Sequence, residues 1–156
     1  MKAHCSALLL LTLAAIGSAT AQTPAPSPSA TPAPGSDPAP ARSKALELAG
    51  AFANDGYKNR DGFWAATLEP GKPLFLEVNV FSGNEYWFSA AAVPPARAIT
   101  VSLFDAGGRP VEGEIYYKDG PCAAAGFIAA ASGRCFVRVE LTEGEKADFC
   151  LIYSYK

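Results

Sequence analysis

The chain from about residue 63 onward alternates between apolar and polar positions with a period of two. Residues 74–80 show the pattern most clearly, because every even position is leucine or valine and the odd positions are Phe75, Glu77 and Asn79. Side chains on a strand point alternately to its two faces, so this pattern predicts half-buried β-strands. Eight strands are predicted, at residues 63–69, 74–81, 85–92, 98–105, 109–118, 122–130, 134–142 and 148–155.

Turn-forming residues separate the predicted strands. Glycine occurs in six of the seven breaks, for example at Gly71, Gly83 and Gly108, mostly beside Asp, Ser, Asn or Pro. Glycine accepts the positive φ that many tight turns need. No pattern of helical length lies between the strands, which argues against parallel strand-helix-strand units. The predicted fold class is therefore all-β, an antiparallel β-sandwich of about eight strands with a short N-terminal helix.

That helix is predicted at residues 43–53, the one stretch with good helical composition. Ser43 can cap its start, and Leu48 and Phe52 share a face because they are four positions apart. The Asn-Asp-Gly sequence at residues 54–56 would end it. A helix this short is marginal in water, so it is expected to dock on the sandwich.

Residues 1–21 have the features of a secretory signal peptide: a basic start, an apolar run and a small-residue cleavage site that ends at Ala21. The apolar run is about 10 residues long, against roughly 20 for a membrane-spanning helix, and no transmembrane segment is predicted. Residues 22–42 contain seven prolines and five alanines. They are interpreted as a disordered linker, either an extended tether or a leader with no role beyond its length. The folded domain, residues 43–156, is expected in the periplasm or outside the cell.

The charge and composition of the chain argue against several classes of function. Removal of Lys2 with the signal peptide leaves 12 basic and 15 acidic side chains, a net charge of about −3 without any block of like charge. Nucleic acid is not expected as a partner, because neutralising phosphates needs a concentrated basic face. The single histidine, His4, also leaves with the signal peptide. The mature chain then lacks the imidazole of a serine triad and the commonest transition-metal ligand, and no enzyme activity or cofactor is predicted.

Three short motifs occur in order over roughly residues 64–155. Residues 83–88 read Gly-Asn-Glu-Tyr-Trp-Phe, residues 101–108 form an apolar strand that ends in Asp-x-x-Gly, and residues 132–139 begin with Ser-Gly and alternate with valine. Together they resemble the bacterial pre-peptidase C-terminal domain, a small jelly-roll-like β-sandwich often attached to secreted peptidases. The resemblance implies a jelly-roll-like, stand-alone exported domain with a binding or accessory role.

Two departures from that family affect the chemistry that the resemblance implies. Cys135 stands where the family usually has tyrosine, and Ala98 and Thr100 occupy positions that are often aspartate. These differences leave Asp105, with neighbouring carbonyls, as the remaining candidate calcium ligand. The chain has no Asp-rich spacing of a dedicated calcium loop, and no metal site is predicted.

Three cysteines remain in the mature chain, Cys122, Cys135 and Cys150, so at most one internal disulfide can form. If residues 122–130 and 134–142 form a tight hairpin, Cys135 lies too far from Cys122 for a bridge. The alternation favours Cys135 as a buried core thiol, with a bond to Cys122 or Cys150 as the alternative. No histidine can lower the pKa of a thiol here, so no catalytic cysteine is predicted.

Two pairs of glutamates, Glu112 with Glu114 and Glu143 with Glu145, invite comparison with glycosidases, whose chemistry needs two acids at a fixed separation. A general acid also needs a desolvated pocket, whereas Glu143 and Glu145 lie in a glycine-containing turn open to water. A carboxylate-based hydrolase is kept only as a residual alternative.

Adjacent aromatic residues on a strand must point to opposite faces. Trp87 lies between Tyr86 and Phe88, and Tyr116 lies beside Tyr117, so they cannot all enter one core. An outward Trp87 with Tyr116 or Tyr117 would form a stacking platform, and the alternative is aromatic packing that stiffens the sheet. The predicted function is an exported, non-catalytic binding or accessory domain for an unknown protein, peptide or polysaccharide. The alternative is a carbohydrate-binding module that uses exposed strand aromatics.

Overall fold

The computed structural model of this chain describes residues 37–117 and 120–156, except for the side chain of Tyr117. The predicted signal peptide, residues 1–21, and most of the predicted linker, residues 22–36, lie outside the described residues. Within the described ranges, no helix is long and apolar enough to cross a bilayer.

One α-helix precedes nine β-strands in this part of the chain. Helix α1 spans Ala39–Gly50, and a short 3₁₀ turn follows at Ala53–Asp55. The strands are β1 Lys58–Asn59, β2 Trp64–Leu68, β3 Leu74–Val80, β4 Glu85–Ala92, β5 Ala96–Asp105, β6 Glu114–Tyr117, β7 Cys122–Ile128, β8 Gly133–Gly144 and β9 Ala147–Tyr155.

The strands form two antiparallel sheets, which confirms the predicted β-sandwich. The six-stranded sheet has the order β1-β9-β4-β7-β6, with β2 also paired to β9, and the three-stranded sheet has the order β3-β8-β5. Residues 109–113, predicted as the start of a strand, precede β6 instead. Residues 109–111 fold back on β5, with which they make two backbone hydrogen bonds of 2.9 Å and one isolated bridge at Pro110. Pro110 has no amide hydrogen to donate, which limits this pairing.

Apolar side chains from both sheets meet in one core. The alternation predicted for β3 is confirmed, because Leu76, Val78 and Val80 are buried and the odd positions between them are exposed. Phe88 of β4 and Phe149 of β9 are completely buried in the same cluster. Each such side chain stabilises the fold by about 1.5–3 kcal/mol relative to an exposed one.

Helix α1 begins at Ala39, before the predicted start at Ser43 and inside the predicted linker. The Asp37 Oδ1 atom accepts a hydrogen bond of 3.0 Å from the Ala39 N–H, and Pro40 lies in the first turn. The first turn of a helix has no internal acceptors for its N–H groups, so a proline there loses no hydrogen bond. The proline content therefore placed the end of the predicted linker too late, because residues 39–42 are already helical.

Alanines hold α1 against the outer face of the six-stranded sheet. Ala41, Ala45 and Ala49 are spaced four apart and are buried. They pack over Ala91 of β4 and Ile152 of β9. The small side chains of the helix and Ala91 let the helix lie close to the sheet, so the docking predicted for this helix is observed.

The tight hairpin considered above for residues 122–130 and 134–142 does not form. Strand β7 belongs to the six-stranded sheet and β8 to the three-stranded sheet, so residues 129–132 carry the chain from one sheet to the other. Alternation of apolar residues determines which face of a strand is buried, but it does not determine which strand lies beside it.

Candidate functional site

A groove of about 330 Å³ lies beside β6, on the side of the six-stranded sheet that carries α1. It includes Trp87 and Gly126, which are directly opposite each other on β4 and β7. We call it the acidic groove, because three of its residues are glutamates. Its lining consists of Tyr57, Glu85, Tyr86, Trp87, Glu112, Gly113, Glu114, Gly126, Phe127 and Ile128.

The Trp87 indole is enclosed between the sheet and the segment after α1. A Cβ atom at Gly126 would lie 2.5 Å from Cδ2 of the indole, so the ring lies directly over this glycine. Phe52 stacks on the indole with ring centroids 4.3 Å apart and an angle of 12° between the planes. Trp87 is consequently only 8% exposed.

Trp87 therefore presents no open ring face for a stacking platform, and its contacts are those of the packing alternative. Tyr116 is 57% exposed, with its ring edge-on to Phe52 at 4.9 Å and to Trp87 at 6.2 Å. The side chain of Tyr117 lies outside the described part of the chain. Alternation correctly placed Trp87 on the face opposite Tyr86, but it carried no information that Phe52 would cover that face.

Two residues of the groove lining, Tyr57 and Glu85, form a hydrogen-bonded set with Lys156, which lies outside the lining. The Tyr57 hydroxyl donates to Glu85 Oε2 at 2.6 Å, and Lys156 Nζ lies 3.1 Å from the same oxygen. Lys156 Nζ is also 4.5 Å from the centroid of the Tyr57 ring. Burial and the hydrogen bond to Glu85 raise the pKa of Tyr57, and the hydrogen bonds from Tyr57 and Lys156 lower the pKa of Glu85. The negative charge of Glu85 is thus balanced.

The charges of Glu112 and Glu114 are not balanced in this way. Both side chains are exposed, and no basic residue of the described chain forms an ion pair with either of them. Gly113 lies so close to β7 that a Cβ atom there would collide with the carbonyl oxygen of Gly126. The backbone between the two acids is thereby held against the sheet, and the groove carries a net negative charge.

No protein-family model and no curated protein matches this chain. Among solved structures, it is similar to the crystal structure of Aeromonas hydrophila PliG, a periplasmic lysozyme inhibitor of g-type lysozyme. The two are 16% identical with a TM-score of 0.45, over 65% of this chain and 90% of that one. Similarity at this level does not establish a shared function.

The carboxylate of Asp105, the candidate calcium ligand, is hydrogen-bonded to residues of the turn that follows it. Its Oδ1 accepts the N–H groups of Gly107 and Arg109 at 2.8 and 3.0 Å, and its Oδ2 accepts Arg109 Nε at 2.8 Å. The bonds from Arg109 lower the pKa of Asp105. Its contribution to stability is therefore complete above the ordinary carboxyl pKa and is lost as the pH falls through the lowered value. In the part of the chain described, no cluster of three potential metal ligands occurs.

Cys122, Cys135 and Cys150 are free thiols. Cys135 lies in the core between the sheets, as the favoured interpretation had it, whereas Cys150 lies under α1 with Cys122 packed beside it. Cys122 and Cys150 both pair with Ala91, one on each side of β4. Their Cα atoms are therefore about 9–10 Å apart, two strand spacings, which exceeds the limit of roughly 7 Å for a disulfide.

We expect the mature protein to contain no disulfide and to expose one reactive thiol. Burial raises the pKa of Cys135 and of Cys150 to about 11, and Cys122 is half-buried with a smaller upward shift of its pKa. Iodoacetamide at pH 8 should therefore label Cys122 first, since the thiolate is the reactive species. Mass spectrometry of the labelled, non-reduced protein checks both points, and a Cys122–Cys150 linkage would contradict them.

Three residues that shape the acidic groove, Phe52, Tyr57 and Glu85, were not predicted as site residues from the sequence. Phe52 and Tyr57 flank the 3₁₀ turn, and Glu85 opens β4. A signal for Phe52 did exist, because its spacing from Leu48 placed both on one helix face, and Leu48 packs against the cluster that contains Phe52. No pattern in the sequence links Tyr57 to Glu85, because residues 28 positions apart meet only through the fold.

Proposed function

We propose that this protein is an exported, non-catalytic binding domain that holds a basic segment of a partner protein in the acidic groove. The observation that carries the proposal is the position of Glu112 and Glu114, which line the groove without a basic partner in the described chain. Lysine or arginine side chains of a partner would supply the missing positive charge. Both acids are exposed, so neither has the desolvated surroundings that a general acid needs.

Apolar surface beside the acids favours a protein segment over a small cation. Ile128 lines the groove and is 66% exposed, and the exposed ring of Tyr116 lies next to Trp87. An amphipathic segment presents basic and apolar side chains together and can satisfy both kinds of surface. A metal ion has no apolar surface to place against Ile128, and a polyamine has only short methylene segments between its charges.

The alternative proposal is a carbohydrate-binding module. Of the aromatic residues predicted for it, Tyr116 has the exposed ring that stacking on a sugar requires, whereas Trp87 is covered by Phe52. Retention on insoluble polysaccharide that is lost in Tyr116→Ala would support this alternative.

Export and family membership are parts of the same proposal. Export is supported by the signal peptide predicted at residues 1–21, and the linker predicted after it would carry the domain at a distance. Membership in the pre-peptidase C-terminal family is supported by the three motifs, each of which lies at a strand boundary: before β4, after β5 and at the start of β8. Both remain predictions.

A matched pair of double variants tests the acidic groove. We expect Glu112→Gln/Glu114→Gln to weaken binding of an amphipathic lysine-leucine peptide about tenfold, because two charge pairs are lost. Isothermal titration calorimetry gives the affinities, and raising the salt concentration should weaken binding to the unmodified protein.

The control is Glu143→Gln/Glu145→Gln, which changes the net charge equally at two exposed acids that are not part of the groove lining. Peptide affinity should stay close to that of the unmodified protein. Equal weakening by the two double variants would mean that the peptide responds to net charge alone, and the groove would then not be the binding site.

A further inference from the structure

Strand β3 is a long, regular edge strand with one side open. It ends the order β3-β8-β5, and in the described chain it pairs only with β8. The pairing runs through all seven residues, Leu74–Val80, without a register shift. Natural edge strands are usually protected by proline, a bulge or several charges, because unpaired backbone groups invite another strand. Between its ends, β3 has one charged residue, Glu77, and it contains neither a proline nor a bulge.

Two exposed phenylalanines accompany this open edge. Phe75 lies on the outer face of β3, and Phe81 follows its last residue at a position of the same parity. Each is 57% exposed. A second strand along the edge would bring side chains against both rings and would satisfy the free backbone groups.

We propose that β3 pairs antiparallel with β3 of a second copy of this chain, with the two-fold axis at Val78. Residues directly opposite in an antiparallel pair share a face of the sheet. The buried even-numbered residues of β3 therefore have to lie opposite even-numbered residues of the second copy. This condition leaves only registers in which the axis passes through a residue of the strand.

The side chains select one of these registers. With the axis at Val78, Phe75 lies opposite Phe81 of the partner subunit, and Glu77 lies opposite Asn79 of the partner subunit. An axis at Glu77 would place two carboxylates opposite each other, and like charges at opposite positions are destabilising. An axis at Leu76 or at Asn79 would place Glu77 opposite a phenylalanine. The Val78 register thus pairs aromatic with aromatic and acid with amide.

The position of β3 keeps the acidic groove open in such a dimer. The groove lies beside β6, at one end of the six-stranded sheet. Strand β7 is the neighbour of β6, and β5 of the other sheet packs against β7. Strand β3 is at the opposite end of its own sheet from β5. One continuous six-stranded sheet would therefore join two domains that each keep a free groove. A single strand pair buries little area, so we expect a reversible dimer.

Substitution of Asn79 tests the register. In Asn79→Glu a carboxylate faces Glu77 of the partner subunit twice across the interface, and we expect the dimer dissociation constant to rise about tenfold. Within its own sheet Asn79 lies opposite Arg134, so the new acid is not expected to destabilise the monomer. Asn79→Gln is the control and should leave the dissociation constant close to that of the unmodified chain. Sedimentation equilibrium of residues 22–156 measures all three.

Cysteine cross-linking tests the same register independently. Opposite residues in an antiparallel pair have Cα atoms about 4.5–5.5 Å apart, within disulfide range. Mixing Phe75→Cys with Phe81→Cys, each in a Cys122→Ser background that removes the half-buried native thiol, should therefore give a covalent dimer under oxidising conditions. Neither variant should give it alone, because identical positions would be about 20 Å apart. A chain that remains monomeric at its highest soluble concentration, or cross-links that form equally in each variant alone, would overturn the proposal.

Discussion

Replacing Trp87 with alanine should lower the free energy of unfolding by about 3–5 kcal/mol, the usual cost of truncating a buried aromatic side chain. The indole packs on Gly126 of the neighbouring strand and under the ring of Phe52. Its removal would leave a cavity that Phe52 cannot fill without moving the segment after α1. Urea denaturation measured by fluorescence and by circular dichroism gives the change in free energy.

Tyr116→Ala is the matched control, because Tyr116 belongs to the same aromatic cluster but is 57% exposed. It should cost clearly less than Trp87→Ala, since most of its ring is already in water. Equal losses for the two variants, or a nearly unchanged midpoint for Trp87→Ala, would show that the indole is not enclosed as described. Trp87→Ala is for this reason a test of the fold, and Tyr116→Ala is the better probe of ligand binding.

Replacing Gly126 with alanine should cost about 1–3 kcal/mol of unfolding free energy, as overpacking in a filled core usually does. The added Cβ atom would lie 2.5 Å from Cδ2 and 2.7 Å from Cε2 of the Trp87 indole. The indole cannot move away easily, because Phe52 stacks on it 4.3 Å away. Thermal and urea denaturation of the variant measure this cost.

Two comparisons separate this collision from the general effect of changing a strand glycine. Gly133→Ala adds a Cβ atom at a site with no atom within 4 Å, and should be neutral or stabilising by up to about 1 kcal/mol. In a Trp87→Ala background, Gly126→Ala should lose most of its cost, because the colliding ring is absent. Additive effects of the two substitutions would contradict a direct contact between residues 87 and 126.

The Phe52 ring connects the N-terminal helix to the acidic groove. It follows α1, stacks on Trp87 and contacts the edge of Tyr116, while Tyr57 lies edge-on to it at 6.1 Å. The groove therefore depends on residues that flank the 3₁₀ turn as well as on the sheet. A truncation that removes α1 and this turn would expose Trp87, so binding experiments are best done with residues 22–156.

Asp105 and the cysteines show which structural features the local sequence pattern could predict. The turn after β5 was predicted from its glycines, and the structure adds that the Asp105 carboxylate accepts hydrogen bonds from that turn. The burial of Cys135 followed from its parity with neighbouring valines. The separation of Cys122 from Cys150 did not follow, because it depends on β4 lying between their two strands.

The sequence by itself determined the fold class, the positions of most strands and the buried face of β3. These properties depend on contacts between residues close in the chain and on the two-residue alternation of side chains, both of which can be read along the chain. The tertiary structure alone decided that Phe52 covers Trp87, that Tyr57 meets Glu85, and which strands lie at the open edges. These three features depend on contacts between segments that are distant in the sequence. Many strand topologies are compatible with the same alternating pattern, and each would bring different segments together.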